Sequence, residues 1–211
     1  YIGGAEHACM HLIYFRFYTK FLRDIGLIKF GEPAMNMFHQ GMLHGERGVK
    51  MSKSKGNVVN PEAVSKKYGI DTARLFLLAL AAPDKPRDWD EKGIQGSLRF
   101  MKKLVSFFDS VKIGKASAKV ESKLNKVIKQ VEEDINNFNY NLAIIKIRQL
   151  FETISSENEC SKDVLEKFLK LLHVYCPHIT EELWEKLGNK SFISTADWPK
   201  ADDKKIDDNL D

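Results

Sequence analysis

Between Lys50 and Asn57 the chain reads Lys-Met-Ser-Lys-Ser-Lys-Gly-Asn, which gathers three ammonium groups, two hydroxyls and a glycine without hydrophobic periodicity. Phosphate is the chemistry such a run suits. Lysines act on phosphate as mobile point charges, hydroxyls add hydrogen bonds, and glycine lets the backbone come close. A loop of this kind that closes during reaction can neutralise charge developing on a leaving pyrophosphate. By composition alone the same run also fits ordinary solvated surface. A second cluster, Gly3-Gly4-Ala5-Glu6-His7-Ala8-Cys9-Met10-His11, places a carboxylate just after a glycine turn, where nucleotide folds hold ribose hydroxyls. The spacing of His7 and His11 predicts both rings on one helical face. Three readings of that pair stand side by side: satisfied structural histidines, a side-chain pocket, or zinc ligands with Glu6 as a third group. For the last, a zinc-hydrolase motif needs glutamate directly after the first histidine, and Ala8 stands there.

The elements that would carry these residues follow from pattern. Tyr1 to Gly4 reads as a strand end, the apolar-periodic stretch through Tyr18 as a helix closed at Gly26, and Met35 to Leu43 as a second strand. Residues 44–57 read as a mobile surface loop. Asn60-Pro61 opens a short helix with asparagine at its cap, and Asp71 caps a further helix reaching Leu80. After a break at Pro83 to Pro86, helices are predicted over about 91–111, 118–136, 140–155, 162–176 and 179–187. In the third of these Ile147, Leu150, Phe151 and Ile154 share one face. The fold class is therefore mainly α: a partial Rossmann-like α/β segment over 1–82 with the lysine loop, an antiparallel α-helical bundle over 83–200, and a disordered tail over 201–211. Leu171, Leu172, Leu183 and Trp184 are expected in the bundle core.

Lys50 to Ser54 resembles the KMSKS signature of class I aminoacyl-tRNA synthetases at all five positions, and Lys55-Gly56-Asn57 continues in the manner of that family. The resemblance implies that Lys50 and Lys53 stabilise the transition state of amino-acid adenylation. Met51, Ser52 and Ser54 would complete the ATP-binding loop, and Met42 and Leu43, after Gly41, would set their backbone against the adenine. Gly3 to His11 resembles the GGxEHAxxH stretch of the bacterial-like leucyl members. There Gly3 and Gly4 allow close approach of the nucleotide, Glu6 accepts from the ribose, and His7 and His11 line the leucine pocket. The likeness continues through Tyr68 to Phe76, Trp89 and Gly93 to Leu104. Phe138 to Ala143 and Leu171 to Trp184 look like stretches of the class I helical anticodon-binding domain. What this implies is leucine–tRNA ligase chemistry with leucine, ATP with Mg2+ and tRNA(Leu), and no metal held by the protein.

The rest of the sequence bounds these expectations. The chain has 211 residues, 43% hydrophobic and 29% charged, with a formal net charge of +4. That composition permits a nucleic-acid partner without requiring one. Cys9, Cys160 and Cys176 are odd in number and form no CxxC pair, against a disulfide framework and a structural zinc site. No apolar run approaches the roughly 18 residues of a membrane span, and a cytoplasmic setting is expected. The chain starts at Tyr1 and carries no HIGH-like motif, so the other half of the nucleotide site is expected upstream, and the chain alone is expected not to form leucyl-adenylate. A non-catalytic tRNA-binding paralogue remains a second reading and a zinc hydrolase a third. Lys102, Lys103, Lys123, Lys126, Lys129, Lys146 and Arg148 are available to RNA phosphates, but acids interleave with them as at Glu132 to Asp134, so no basic stripe and no tRNA-binding residue is assigned.

Overall fold

The computed structural model describes residues 1–45 and 48–210, so Glu46 and Arg47 of the expected loop lie outside the described residues. The chain divides into two compact units, residues 1–58 with 83–89, and 59–82 with 90–211.

In the first unit β1 (Ile2–Gly4) runs into a 3-10 turn (Ala5–Ala8) and then α1 (His11–Asp24). The turn ends at Cys9, and Met10 leaves helical geometry with φ −110° and ψ −97°, so α1 begins only at His11. Helix α1 closes as the sequence predicts. Gly26 takes φ 82°, its N–H donates to the Arg23 carbonyl, and Leu27 N–H donates to the Leu22 carbonyl. This is the paired C-terminal closure that glycine permits. The expected second strand is split in two. Strand β2 (Phe38–Gln40) pairs parallel with β1, Gly4 facing Gln40, whereas β3 (Leu43–His44) pairs parallel with β4 (Arg87–Asp88). Gly41 lies between them, where its N–H donates to the Pro83 carbonyl at 2.6 Å. A Cβ there would collide with the Lys85 carbonyl, so the crossing of residues 83–86 requires glycine.

Much apolar surface in this unit remains open. Ile13, Tyr14, Phe17, Tyr18 and Phe21 of α1 are exposed, and Thr19 is the helix's buried residue. Parallel strands ordinarily lie between covering layers.

The second unit begins with α2 (Pro61–Tyr68), capped as predicted by the Asn60 side chain accepting from Glu62 N–H at 2.9 Å. Next comes α3 (Ile70–Ala79). The sequence reading of Asp71 as the α3 cap is corrected here. Helix α3 starts at Gly69, whose φ of 87° turns the chain. The buried Asp71 carboxylate instead accepts Ile179 N–H at 2.7 Å and contacts His178 Nδ1 at 2.8 Å, at the start of a distant helix. Helices α4 (Glu91–Ser110), α5 (Ala118–Asn136), α6 (Tyr140–Ser155), α7 (Lys162–His173) and α8 (Pro177–Lys186) follow the predicted spans closely. Between them β5 (Lys112–Ile113) and β6 (Glu159–Cys160) pair in parallel.

The bundle core is continuous from Leu75 to Ile193. Ile147, Leu150, Phe151 and Ile154 are fully buried, as their spacing requires, and Phe151 stands edge-on to Phe100 and Phe107 and stacked on Phe168. Leu171, Leu172, Leu183 and Trp184 are buried as expected. Segment 201–210, read from composition as a frayed tail, lies along α5. Ser122 Oγ donates to the Asp207 carbonyl and accepts its N–H, Asn125 Oδ1 accepts Asp202 N–H, and Lys205 pairs with Glu121. Polar side chains on α5 hold a segment too poor in apolar residues to anchor itself. Among the described residues no helix is long and apolar enough to cross a membrane.

Candidate functional site

Two parallel strand pairs in the first unit bring the predicted site residues to strand ends. Gly3 and Gly4 close β1 and are buried, with Glu6, His7 and His11 just beyond. Gln40 closes β2, followed at once by Met42 and Leu43, whose backbone is tied to residues 87–89. Arg87 N–H donates to the Met42 carbonyl at 3.0 Å and Trp89 N–H to the His44 carbonyl at 2.9 Å. Carboxyl ends of parallel strands are where α/β sheets receive ligands. The Glu6 carboxylate lies over Gly4 so closely that any Cβ on that glycine would meet it.

His7 and His11 do not share a helical face, because His7 belongs to the 3-10 turn and His11 opens α1. Their rings nevertheless meet at right angles, 6.0 Å between centroids. His11 is stacked between Tyr1 at 5.5 Å and Phe15 at 5.1 Å. His7 Nδ1 is buried without a hydrogen-bond partner among the described residues, and buried polar nitrogens ordinarily have one. Among the described residues no set of three His, Cys, Asp or Glu side chains is arranged to hold a metal ion. A recess of about 350 Å³ lies at the opposite, starting ends of β1 and β2, lined by Tyr1, Leu12, Ile13, Arg16, Glu32 and Met37. At its rim Arg16 grips Glu32 through two hydrogen bonds of 2.8 and 2.7 Å, and these bonds, with that of Lys20, lower the Glu32 carboxyl to about 2.

The lysine loop has internal structure. Lys53–Lys55 form one 3-10 turn, ended by Gly56 at φ 64°. Asn57 closes it from the far side: its Oδ1 accepts Ser52 N–H at 2.8 Å and its Nδ2 donates to the Lys50 carbonyl at 3.2 Å. The Ser52 and Ser54 hydroxyls are 2.8 Å apart. Lys50, Lys53 and Lys55 are exposed, and among the described residues none of them makes an ion pair. Three cations gathered on one short loop, with no counter-charge among the described residues, suit a polyanion. Among the described residues the loop makes no hydrogen bond to Glu6, His7 or His11, so loop and strand ends are separately positioned. The clamp by Asn57 was not foreseen, although an asparagine directly after a left-handed glycine is the residue type that bonds local backbone.

Residues 9–90 match the family model for class I tRNA synthetases of the I, L, M and V group, and residues 118–211 match the anticodon-binding domain of tRNA ligases. The chain belongs to the class I aminoacyl-tRNA synthetases. Curated relatives are leucine–tRNA ligases: that of Thermosipho melanesiensis is 40% identical over 228 residues and that of Geotalea uraniireducens 43% over 224. These alignments take in 98% and 96% of this chain but 28% and 27% of the relatives, so the chain spans under a third of their length. Among solved structures, a ternary complex of the Agrobacterium radiobacter K84 agnB2 leucyl-tRNA synthetase with tRNA and LeuAMS is 31% identical, with a TM-score of 0.87 over 98% of this chain and 30% of that one. A methionyl-tRNA synthetase of Mycobacterium tuberculosis shares the fold at TM-score 0.62 and 19% identity, over 87% of this chain and 43% of that one. Family and packing divide the chain differently: α2 lies wholly and α3 wholly within the synthetase match, yet both pack with the bundle.

Proposed function

We propose that this chain supplies part of the adenylation site and the tRNA-binding bundle of a leucine–tRNA ligase, which activates leucine with ATP and joins it to tRNA(Leu) in the cytoplasm. The observation that carries the proposal is the lysine loop, clamped by Asn57, which displays three ammonium groups with no ion-pair partner among the described residues. In this reading Lys50 and Lys53 are the catalytic lysines. They act on charge that grows on the departing pyrophosphate, so their interaction is stronger in the transition state than in the ground state and raises kcat. Met51, Ser52 and Ser54 complete the ATP-binding surface. Gly3 and Gly4 admit the nucleotide backbone, Glu6 accepts from the ribose, and the Met42–Leu43 backbone faces the adenine. His7, with its unpartnered Nδ1, and His11, held by two aromatic rings, line the leucine pocket. Mg2+ would be carried by the ATP phosphates, since among the described residues no group of three His, Cys, Asp or Glu side chains is placed to hold a metal ion.

Functionally we divide the chain at 82/83, with the catalytic segment before and the tRNA-binding helices over 83–200. The exposed apolar side of α1 is what a further layer of the catalytic domain, the amino-terminal half of the synthetase, would cover. The test is Lys53→Ala in the synthetase completed with that half. Leucine-dependent ATP–pyrophosphate exchange should fall by about a hundredfold or more, with tRNA affinity within a factor of about two. Unchanged exchange rejects the assignment of Lys53. Exchange by the unaided 211-residue chain rejects the division of the site.

A further inference from the structure

Phe15 lies outside the glycine–glutamate–histidine stretch, yet its ring packs on that stretch and not on a core. His11 is the first residue of α1, and Met10 before it leaves helical geometry, so no helical turn precedes His11 to restrict its χ1. Among the described residues neither ring nitrogen of His11 makes a hydrogen bond. The orientation of this ring is therefore set by its contacts with the rings of Tyr1, His7 and Phe15.

Of these three, Phe15 alone stands in α1, four residues after His11 and on the same helical face. The two rings stack at 5.1 Å with their planes 23° apart. Tyr1 closes a triangle with them, 5.5 Å from His11 and 6.4 Å from Phe15. Unlike His11, Phe15 has a turn of helix before it, which confines its χ1 to two of its three staggered wells. Its carbonyl accepts from Thr19 Oγ1 at 2.8 Å, and Thr19 is the buried residue of α1. The support is thus stiffer than the ring it supports. Phe15 is also not spent on a hydrophobic core: it is half-buried, and the apolar core from Leu75 to Ile193 takes no residue from α1. His11 in turn meets His7 edge-on, so a tilt of His11 is felt by both histidines.

We propose that Phe15 is a positioning residue for the leucine pocket: it fixes the tilt of the His11 ring, and with it the pocket wall that separates leucine from its β-branched isomer. The inference rests on the leucine-pocket reading of His11 given above. Leucine and isoleucine differ only in where one methyl branches, so a site tells them apart by the placement of its walls. The test is ATP–pyrophosphate exchange by the completed synthetase with leucine and with isoleucine. Phe15→Leu keeps an apolar side chain but removes the flat ring. It should raise the KM for leucine about three- to tenfold, the size of one aromatic pair, leave the KM for ATP within about twofold, and lower the leucine-to-isoleucine ratio of kcat/KM about fivefold or more. That ratio does not depend on the folded fraction, so it stays readable in a variant that folds poorly. Phe15→Tyr restores a flat ring and should recover the ratio to within about twofold. His11→Gln should lower the ratio as well, and His11→Gln/Phe15→Leu should be no lower than His11→Gln, because Phe15 acts through His11. A parental ratio in Phe15→Leu beside a lowered one in His11→Gln overturns the positioning role alone. Losses that add in the double variant, or that raise the KM for leucine and ATP alike, overturn it too. Parental values in His11→Gln reject the leucine-pocket reading, and this inference falls with it.

Discussion

Asp71 offers the most demanding test of how the bundle is held together. Helix α8 begins at Pro177 after Cys176, a residue with no side-chain oxygen to cap the helix. The open N–H groups of the first turn therefore need an acceptor from elsewhere. Asp71, on α3 and 108 residues away in sequence, supplies it through Ile179 N–H. Arg74, one turn further along α3, donates to the Tyr175 and Val174 carbonyls at the end of α7, each at 3.3 Å. One turn of α3 thus grips both sides of the α7–α8 corner. Truncating Asp71 to alanine removes a charge-assisted hydrogen bond worth about 1.5–3 kcal/mol. It also removes a helix cap worth about 1 kcal/mol. The two overlap, so the expected loss is about 2–4 kcal/mol, or roughly 5–15 °C in thermal midpoint for a unit of this size. Asp71→Asn keeps an acceptor for Ile179 and should lose less than half as much. Combined with Arg74→Ala the losses should be non-additive, because both act on one corner. The assay is chemical denaturation followed by helical circular dichroism. A loss below about 0.5 kcal/mol for Asp71→Ala, with an unchanged m-value, refutes the capping argument.

Other outcomes follow from the same structure. Burial at the end of α7 lowers the His173 pKa from its ordinary value, while Glu181 and Asp71 oppose that shift in part. The folded state therefore binds this proton less readily than the unfolded chain, so the stability it contributes is full above pH about 6.5 and declines as pH falls through the lowered folded value. Denaturation midpoints of His173→Gln against the parent between pH 7 and 5 should converge toward the acid end. Phe151→Ala removes a ring packed against Phe100, Phe107 and Phe168 and should cost about 3–5 kcal/mol in urea unfolding. Asn57→Ala releases both hydrogen bonds that close the lysine loop. In the completed synthetase it should slow ATP–pyrophosphate exchange by about 5–30-fold, for about 1–2 kcal/mol of lost preorganisation, with the fold intact by circular dichroism. Parental exchange would show that the loop is ordered by its ligand alone.

Local chemistry made much of this protein legible from residues alone. Asn60-Pro61 can only open a helix, Gly26 can only close one cheaply, and the spacing of Ile147, Leu150, Phe151 and Ile154 buries one face whatever lies opposite. The five-residue run from Lys50 to Ser54 pointed to the synthetase family because its residues lie together in sequence. What the sequence could not decide were contacts between distant residues. Asp71 read as a cap for its own helix, since nothing local reveals that Cys176 leaves another helix uncapped. Residues 201–210 read as a loose tail, since their hold comes from Ser122 and Asn125 on α5. The strand expected over 35–43 broke at Gly41, where residues 83–86 cross its backbone. Which lysines are spent on carboxylates likewise depends on pairings such as Lys129–Asp203, set across the bundle. Spacing along the chain fixes which residues share a helix face, but only tertiary packing fixes what that face meets.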